Sequence, residues 1–353
     1  MNRSVGSYLL APFVPAFLCV VLCTCGCGQK AGELFPPPAK PLAWPSPPDP
    51  PRIRYVGQLA TSADLKPAIP FGQSVGESLF GKSPVFSMLT PYAVATDTTR
   101  IFVADSNAQC VHVFDLDTRK YERWTPDNPE KRFAQPVGVA FDSWKRRLYV
   151  ADSVAGLIYI LDQNGKTLAS FGQGYAFRPC GLAVDHQAAR LFVADSEAHQ
   201  ILMFTLDGQP IGRIGGRGTE LGKFNFPTNV AVDRHGLLYV SDSLNFRIQQ
   251  FTPDLRPVRQ IGTKGDAPGY FSQPKGIALD SEDHLYVVDA NFEAIQIFNN
   301  QGVLLLDFGQ EGTAPGQFQL PAGICIDRSN RIWVADSYNR RLQVFDYLPE
   351  KKP

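Results

Sequence analysis

Charge of neither sign is in excess, since 34 Lys and Arg balance 34 Asp and Glu. A nucleic-acid binder draws its affinity from a basic surface, so that class is disfavoured. Histidine is scarce, with five in 353 residues. Cysteine is scarce where it would matter. Four of the seven lie between residues 19 and 27, leaving Cys110, Cys180 and Cys325. Three separated cysteines exclude a disulfide framework. The body also lacks the Cys-x-x-Cys spacing of a zinc site or a haem attachment. Long helices are not expected, because 30 Gly and 29 Pro break the chain into short segments. No metal and no cofactor is implied by any cluster of residue types.

What is present begins with an apolar N-terminus. Arg3 precedes the run "YLLAPFVPAFLCVVLCTCGCG", which reads as a secretory signal over 1–26. Its end resembles a bacterial lipoprotein box, with Cys27 as the expected lipidated residue and Cys25 as the rival. Residues 27–51 hold nine prolines from Pro36 to Pro51 and are expected to form an extended polyproline-like tether.

The remainder repeats. "IFVADS", "LYVADS", "LFVADS", "LYVSDS", "LYVVDA" and "IWVADS" end near Asp105, Asp152, Asp195, Asp242, Asp289 and Asp336, spaced 47, 43, 47, 47 and 47 residues apart. A second aspartate closes the segment before each motif, at Asp97, Asp142, Asp185, Asp233, Asp280 and Asp327. Each unit reads as four short strands, a to d. In the fifth they fall near 276–280, 284–288, 294–298 and 303–308. Strand c is apolar on both faces, which suits a sheet wedged between two neighbours. Four-stranded units repeated radially predict an all-β fold, a six-bladed β-propeller over 52–348 with a short tail at 349–353. The sixth unit lacks its strand d. The segment "RIRYVGQLA" at 52–60 has strand composition and no partner nearby, so it is expected to close the last blade.

The segment "FGQEGTAPGQFQLPAGICIDRSNRIWVADSYNRRLQVFD" (308–346) resembles the NHL repeat, and the chain is similar to bacterial NHL-repeat lipoproteins. The family's Asn-x-Arg element survives as Asn245-Phe246-Arg247 and Asn339-Arg340-Arg341. The Arg position holds Cys110, Leu157, Gln200 or Ala294 elsewhere. The resemblance implies a fold, not an activity.

The d-to-a and b-to-c connections share one face, called here the first face. On it, Tyr92, Cys180, Asn229 and Lys275 are expected near the axis. His199, Phe246, Phe292, Tyr338, Arg340 and Asn107 are expected farther out. Aromatics in surface turns suit a protein or glycan partner, or they pack under the loops. The stretch 61–90 is long for a connector and is expected to cover part of this face. The turn aspartates read as Asx-type turn formers, not metal ligands or catalytic acids. "GRIGGRGTELGKF" (212–224) lacks the ending of a phosphate loop. His186, His235 and His284 fall in a-to-b turns on the opposite face and His112 in a strand c, so no histidine cluster is expected at the first face. The expectation is therefore an exported, lipid-anchored monomer at the cell envelope, in the periplasm or on the cell surface. It would act as a non-catalytic scaffold binding an envelope protein partner. A lyase or hydrolase at the channel mouth and a glycan binder are the alternatives.

Overall fold

The computed structural model describes residues 29–70, 84–127 and 132–349. They fall in two units. In one, Gln29 and Ile69 form an isolated antiparallel bridge. The other, residues 31–67 and 83 onward, carries the strands. The signal segment, with Cys25 and Cys27, lies outside the described residues, as does "SVGESLFGK" (74–82), a stretch whose sequence allows one or two helical turns.

Strands β1 (Ala43–Trp44) and β2 (Ile53–Leu59) precede six blades. Blade one is β3 (Pro91–Thr96), β4 (Arg100–Asp105), β5 (Cys110–Asp115) and β6 (Tyr121–Trp124). Blade two is β7 (Pro136–Asp142), β8 (Arg147–Asp152), β9 (Leu157–Leu161) and β10 (Thr167–Phe171). Blade three is β11 (Pro179–Asp185), β12 (Arg190–Asp195), β13 (Gln200–Thr205) and β14 (Pro210–Gly215). Blade four is β15 (Pro227–Val232), β16 (Leu238–Asp242), β17 (Arg247–Phe251) and β18 (Pro257–Ile261). Blade five is β19 (Pro274–Leu279), β20 (Leu285–Asp289), β21 (Ala294–Phe298) and β22 (Leu304–Phe308). Blade six is β23 (Ile324–Ile326), β24 (Arg331–Asp336) and β25 (Arg341–Tyr347), on which β2 and then β1 add. All neighbours within a blade are antiparallel, and β2 pairs with β25 from Ile53 opposite Tyr347 to Leu59 opposite Leu342. The last sheet is thus made from both ends of the described chain.

Burial explains why the blades stand face to face. Every b strand is buried along its length apart from its first residue in some blades, so neither face is wet. One apolar cluster fills each gap. Between blades one and two, Phe102, Val113 and Trp124 meet Val139, Leu148 and Tyr159. A side chain from the d-to-a connection plugs each gap: Phe133, Ala176, Phe224, Phe271 or Phe318. At ~1.5–3 kcal/mol per fully buried large side chain, these clusters are the main stabilising term. Met88 takes the plug position between blades six and one, beside Leu65, Phe114 and Trp333.

Two residues of 61–90, Leu65 and Met88, therefore lie in that seam. Both are buried within it, and Phe86 stacks on Tyr121 of the outer strand β6, with centroids 5.6 Å apart. The proline-rich stretch is likewise docked at two aromatic residues, Phe35 and Trp44, and is not an extended spacer throughout. Trp44 packs on Phe308 and Phe345 at 5.6 and 6.0 Å, and Phe35 meets Trp333 edge-on. The composition rule for proline tethers fails here because two aromatic side chains have apolar surface to bury.

The motif aspartates do more than shape one turn. Asp105 accepts the N–H of Ala108 three residues on, and also those of Leu89 and Thr90 just before strand a. Asp152 repeats the pattern with Ala155, Ala134 and Gln135, and Asp195 with Ala198, Phe177 and Arg178. Each carboxylate clamps the b-to-c turn to the incoming d-to-a connection, so the first face is held from beneath. The second set of aspartates makes plain Asx turns, as Asp97 does with Thr99 and Arg100. Near the axis the a strands touch. A Cβ on Gly138 would stand 1.9 Å from the Cys180 carbonyl oxygen, so only glycine fits there.

Candidate functional site

Three of the four axial candidates converge where the a strands begin on the first face. The Lys275 ammonium lies 5.8 Å from the centre of the Tyr92 ring. Burial pushes the Tyr92 phenol up to about 12; the nearby Cys180 adds to the rise and Arg178 opposes it. Burial lowers the Lys275 pKa, partly offset by the Asp289 carboxylate beneath. Burial also raises the Cys180 thiol, which contacts the Ser196 hydroxyl at 3.5 Å. Among the described residues, neither Lys275 nor Arg178 has a carboxylate within ion-pair distance. The mouth is therefore a small, half-buried cationic site rimmed by a phenol and a thiol.

Asn229 is different. It stands where other blades carry Gly138, Gly181, Gly276 or Gly323, with its Cα against Gly181 and its Oδ1 accepting its neighbour's N–H from Val230. It narrows the axis instead of facing the mouth.

The outer candidates divide by turn position. His199 is 8% exposed, and its Nδ1 accepts the Phe226 N–H at 3.0 Å, so it is spent on packing. Phe246 is half-buried in the gap between blades four and five, with the Lys264 ammonium 5.1 Å above its ring. Phe292 is half-buried and Arg340 exposed. Tyr338 is 63% exposed. Position four after the motif aspartate has positive φ in every blade, between 52° at Gln109 and 64° at Gly156, which turns the chain back toward the sheet. Position two is the outward one: Asn107, Val154, Glu197, Leu244, Asn291 and Tyr338 are all exposed. Val154 and Leu244 are surface apolar residues that the preference for aromatics passed over. The fixed offset from each aspartate was the available signal.

An axial cavity of about 270 Å3 runs inside the ring of a strands. Its walls extend from Gly138, Gly181 and Gly323 to His186 near the opposite face. On that face His284 pairs with Asp280 at 2.9 Å and His235 with Asp283 at 3.3 Å. Among the described residues, no three His, Cys, Asp or Glu side chains gather with metal-ligand geometry.

Residues 224–251 and 318–345 match the NHL repeat. No curated protein matches the sequence. Solved structures match the fold. Virginiamycin B lyase from Staphylococcus aureus is 16% identical with a TM-score of 0.55, over 74% of this chain and 96% of that one. An auxiliary nutrient binding protein from Bacteroides ovatus is 11% identical with a TM-score of 0.58, over 74% and 70%. Hydrazine synthase from Kuenenia stuttgartiensis is 12% identical with a TM-score of 0.54, over 75% and 97%. Lyases and binding proteins thus share this architecture, and at such identity the likeness extends to the fold alone. With NHL repeats matched in blades four and six, and four more units sharing their strand order and their clamping aspartate, the protein is a six-bladed β-propeller.

Proposed function

We propose that the chain is a non-catalytic scaffold of the cell envelope that binds a protein partner through its first face. One observation carries the reading: Lys275, half-buried, and Arg178, exposed beside it at the mouth, have no carboxylate partner among the described residues. A partly desolvated cation gains most from a charged hydrogen-bonding partner, so an acidic side chain on the axis is the complementary feature. Tyr338, Val154 and Leu244 supply exposed contact area around it. The clamped turns hold these groups in place before binding, which lowers the ordering cost. The description of the Bacteroides ovatus protein as nutrient binding supports a binding role and an envelope location. Export through residues 1–26 and anchoring at Cys27 complete the proposal.

The test is capture of partners from solubilised envelopes. Lys275→Met with Arg178→Gln is expected to reduce capture at least tenfold, and added salt is expected to weaken wild-type capture. Equal capture by the double variant would refute the axial site.

A further inference from the structure

The opposite end of the axial cavity carries a second set of groups that the first-face reading does not use. Six residues that end the a strands line it there: Thr96, Phe141, Val184, Val232, Leu279 and Ile326. Five are apolar and all are half-buried. His186 stands at the rim of this funnel. Its imidazole reaches from Asp142, with Nδ1 3.7 Å from Oδ1, to Ser143, with Nε2 3.5 Å from Oγ. Arg328 extends from blade six to place Nη2 3.5 Å from the same Ser143 Oγ. Trp144, 68% exposed, lies over His186 with ring centroids 4.6 Å apart.

These polar groups are close without being satisfied. All three separations exceed the usual ~2.7–3.2 Å of a formed hydrogen bond. The buried Asp142 Oδ2 and His186 Nδ1 have no hydrogen-bond partner among the described residues. Arg328 has no carboxylate partner among them either. Asp142 is fully buried and its Oδ1 accepts the N–H groups of Trp144 and Lys145, so its negative charge sits beneath the turn. Guanidinium, imidazole and hydroxyl can all donate, and they are linked to the cavity through His186, which lines it.

We propose that this end of the channel binds a small molecule with an apolar body and a single carboxylate head. The body enters the ring of six, and the carboxylate takes hydrogen bonds from Arg328, Ser143 and His186. A volume of about 270 Å3 lies just below the ~300–1,000 Å3 usual for small-molecule sites, so the body is short. A singly charged head fits better than a phosphate, whose second charge would face Asp142.

Octanoate is the probe, titrated into the full chain and followed by tryptophan fluorescence and by calorimetry. Saturable quenching is expected, and Trp144→Phe is expected to remove the optical signal while leaving the heat. Arg328→Gln, an exposed position, should weaken octanoate at least tenfold. Octanol and acetate should each bind at least tenfold more weakly, one lacking the head and the other the body. The proposal is overturned if calorimetry finds no saturable octanoate binding, if octanol binds as well as octanoate, or if Arg328→Gln leaves the affinity unchanged. None of these outcomes bears on partner capture at the first face.

Discussion

Arg341→Met is expected to destabilise the fold by about 3–5 kcal/mol, the range for breaking a buried ion pair from one side. Arg341 is 6% exposed and its Nε lies 2.8 Å from Asp336 Oδ2, a carboxylate with no exposure. The same guanidinium donates to Gln58 of the closing strand β2, and to the carbonyl oxygens of Ala314 and Gln317 in the d-to-a connection. Methionine keeps much of the volume and supplies none of these donors. It takes the cation from a buried carboxylate, leaving it the neutral donors of Gln319, Asn339 and Gln343, and unpins three segments at once, including the strand that completes the ring. Urea unfolding measures the loss directly, and a decrease under about 1 kcal/mol would contradict the account. Arg247, with the matching bonds to Asp242, Gln260, Glu220 and Lys223, should behave alike.

Blade five shows what the ring does without this arginine. Ala294 stands at the Arg position, and Asp289 is held by the N–H groups of Ser272, Gln273, Asn291 and Phe292 alone. Burial, incompletely offset by those bonds, raises its pKa. The repeat thus tolerates loss of its arginine where the sequence has settled around the loss. An abrupt removal at Arg341 lacks that adjustment.

This is also why the fold could be read from the sequence while the site could be read only in part. The aspartates recur because each must clamp two backbone segments, so their spacing encodes the blade. The strand at 52–60 was legible because an open edge demands a partner. The axial trio of Tyr92, Cys180 and Lys275 followed from one position in each a strand. Outer positions were harder. The sequence ranks His199 and Phe246 by residue type, yet the positive φ of their turn position folds them against the sheet. Trp44 was hidden by its neighbours, since proline content predicts extension and says nothing about what one ring finds to cover. The cluster of Ser143, His186 and Arg328 joins three blades, so no local pattern announces it.

His112 gives the second large effect, as a dependence of stability on pH. It occupies the position that holds Gln249, Gln296 and Gln343 in other blades. Its Nε2 lies 3.1 Å from Asp105 Oδ2, its Nδ1 2.6 Å from the Tyr121 hydroxyl, and it is 1% exposed. Burial by itself favours the neutral ring. The hydrogen bond to Asp105, with help from Cys110, outweighs burial and pushes the pKa up to about 9. The same contact holds the Asp105 carboxyl below its ordinary value, against the opposing effect of burial. A pKa raised on folding means that the folded state binds the proton more tightly. The resulting stability is complete below the unfolded value of ~6.5 and drains away as pH climbs through about 9. The loss is on the order of 2–3 kcal/mol between pH 6.5 and 9.5. His112→Gln keeps a donor for Asp105, as Gln249 and Gln343 do for Asp242 and Asp336, but cannot titrate. Unfolding midpoints of the two proteins should therefore diverge below pH 7 and approach each other above pH 9, since every other titrating group is shared. Parallel curves across that window would show that the pair is held as neutral imidazole, and that blade one is clamped by geometry without charge.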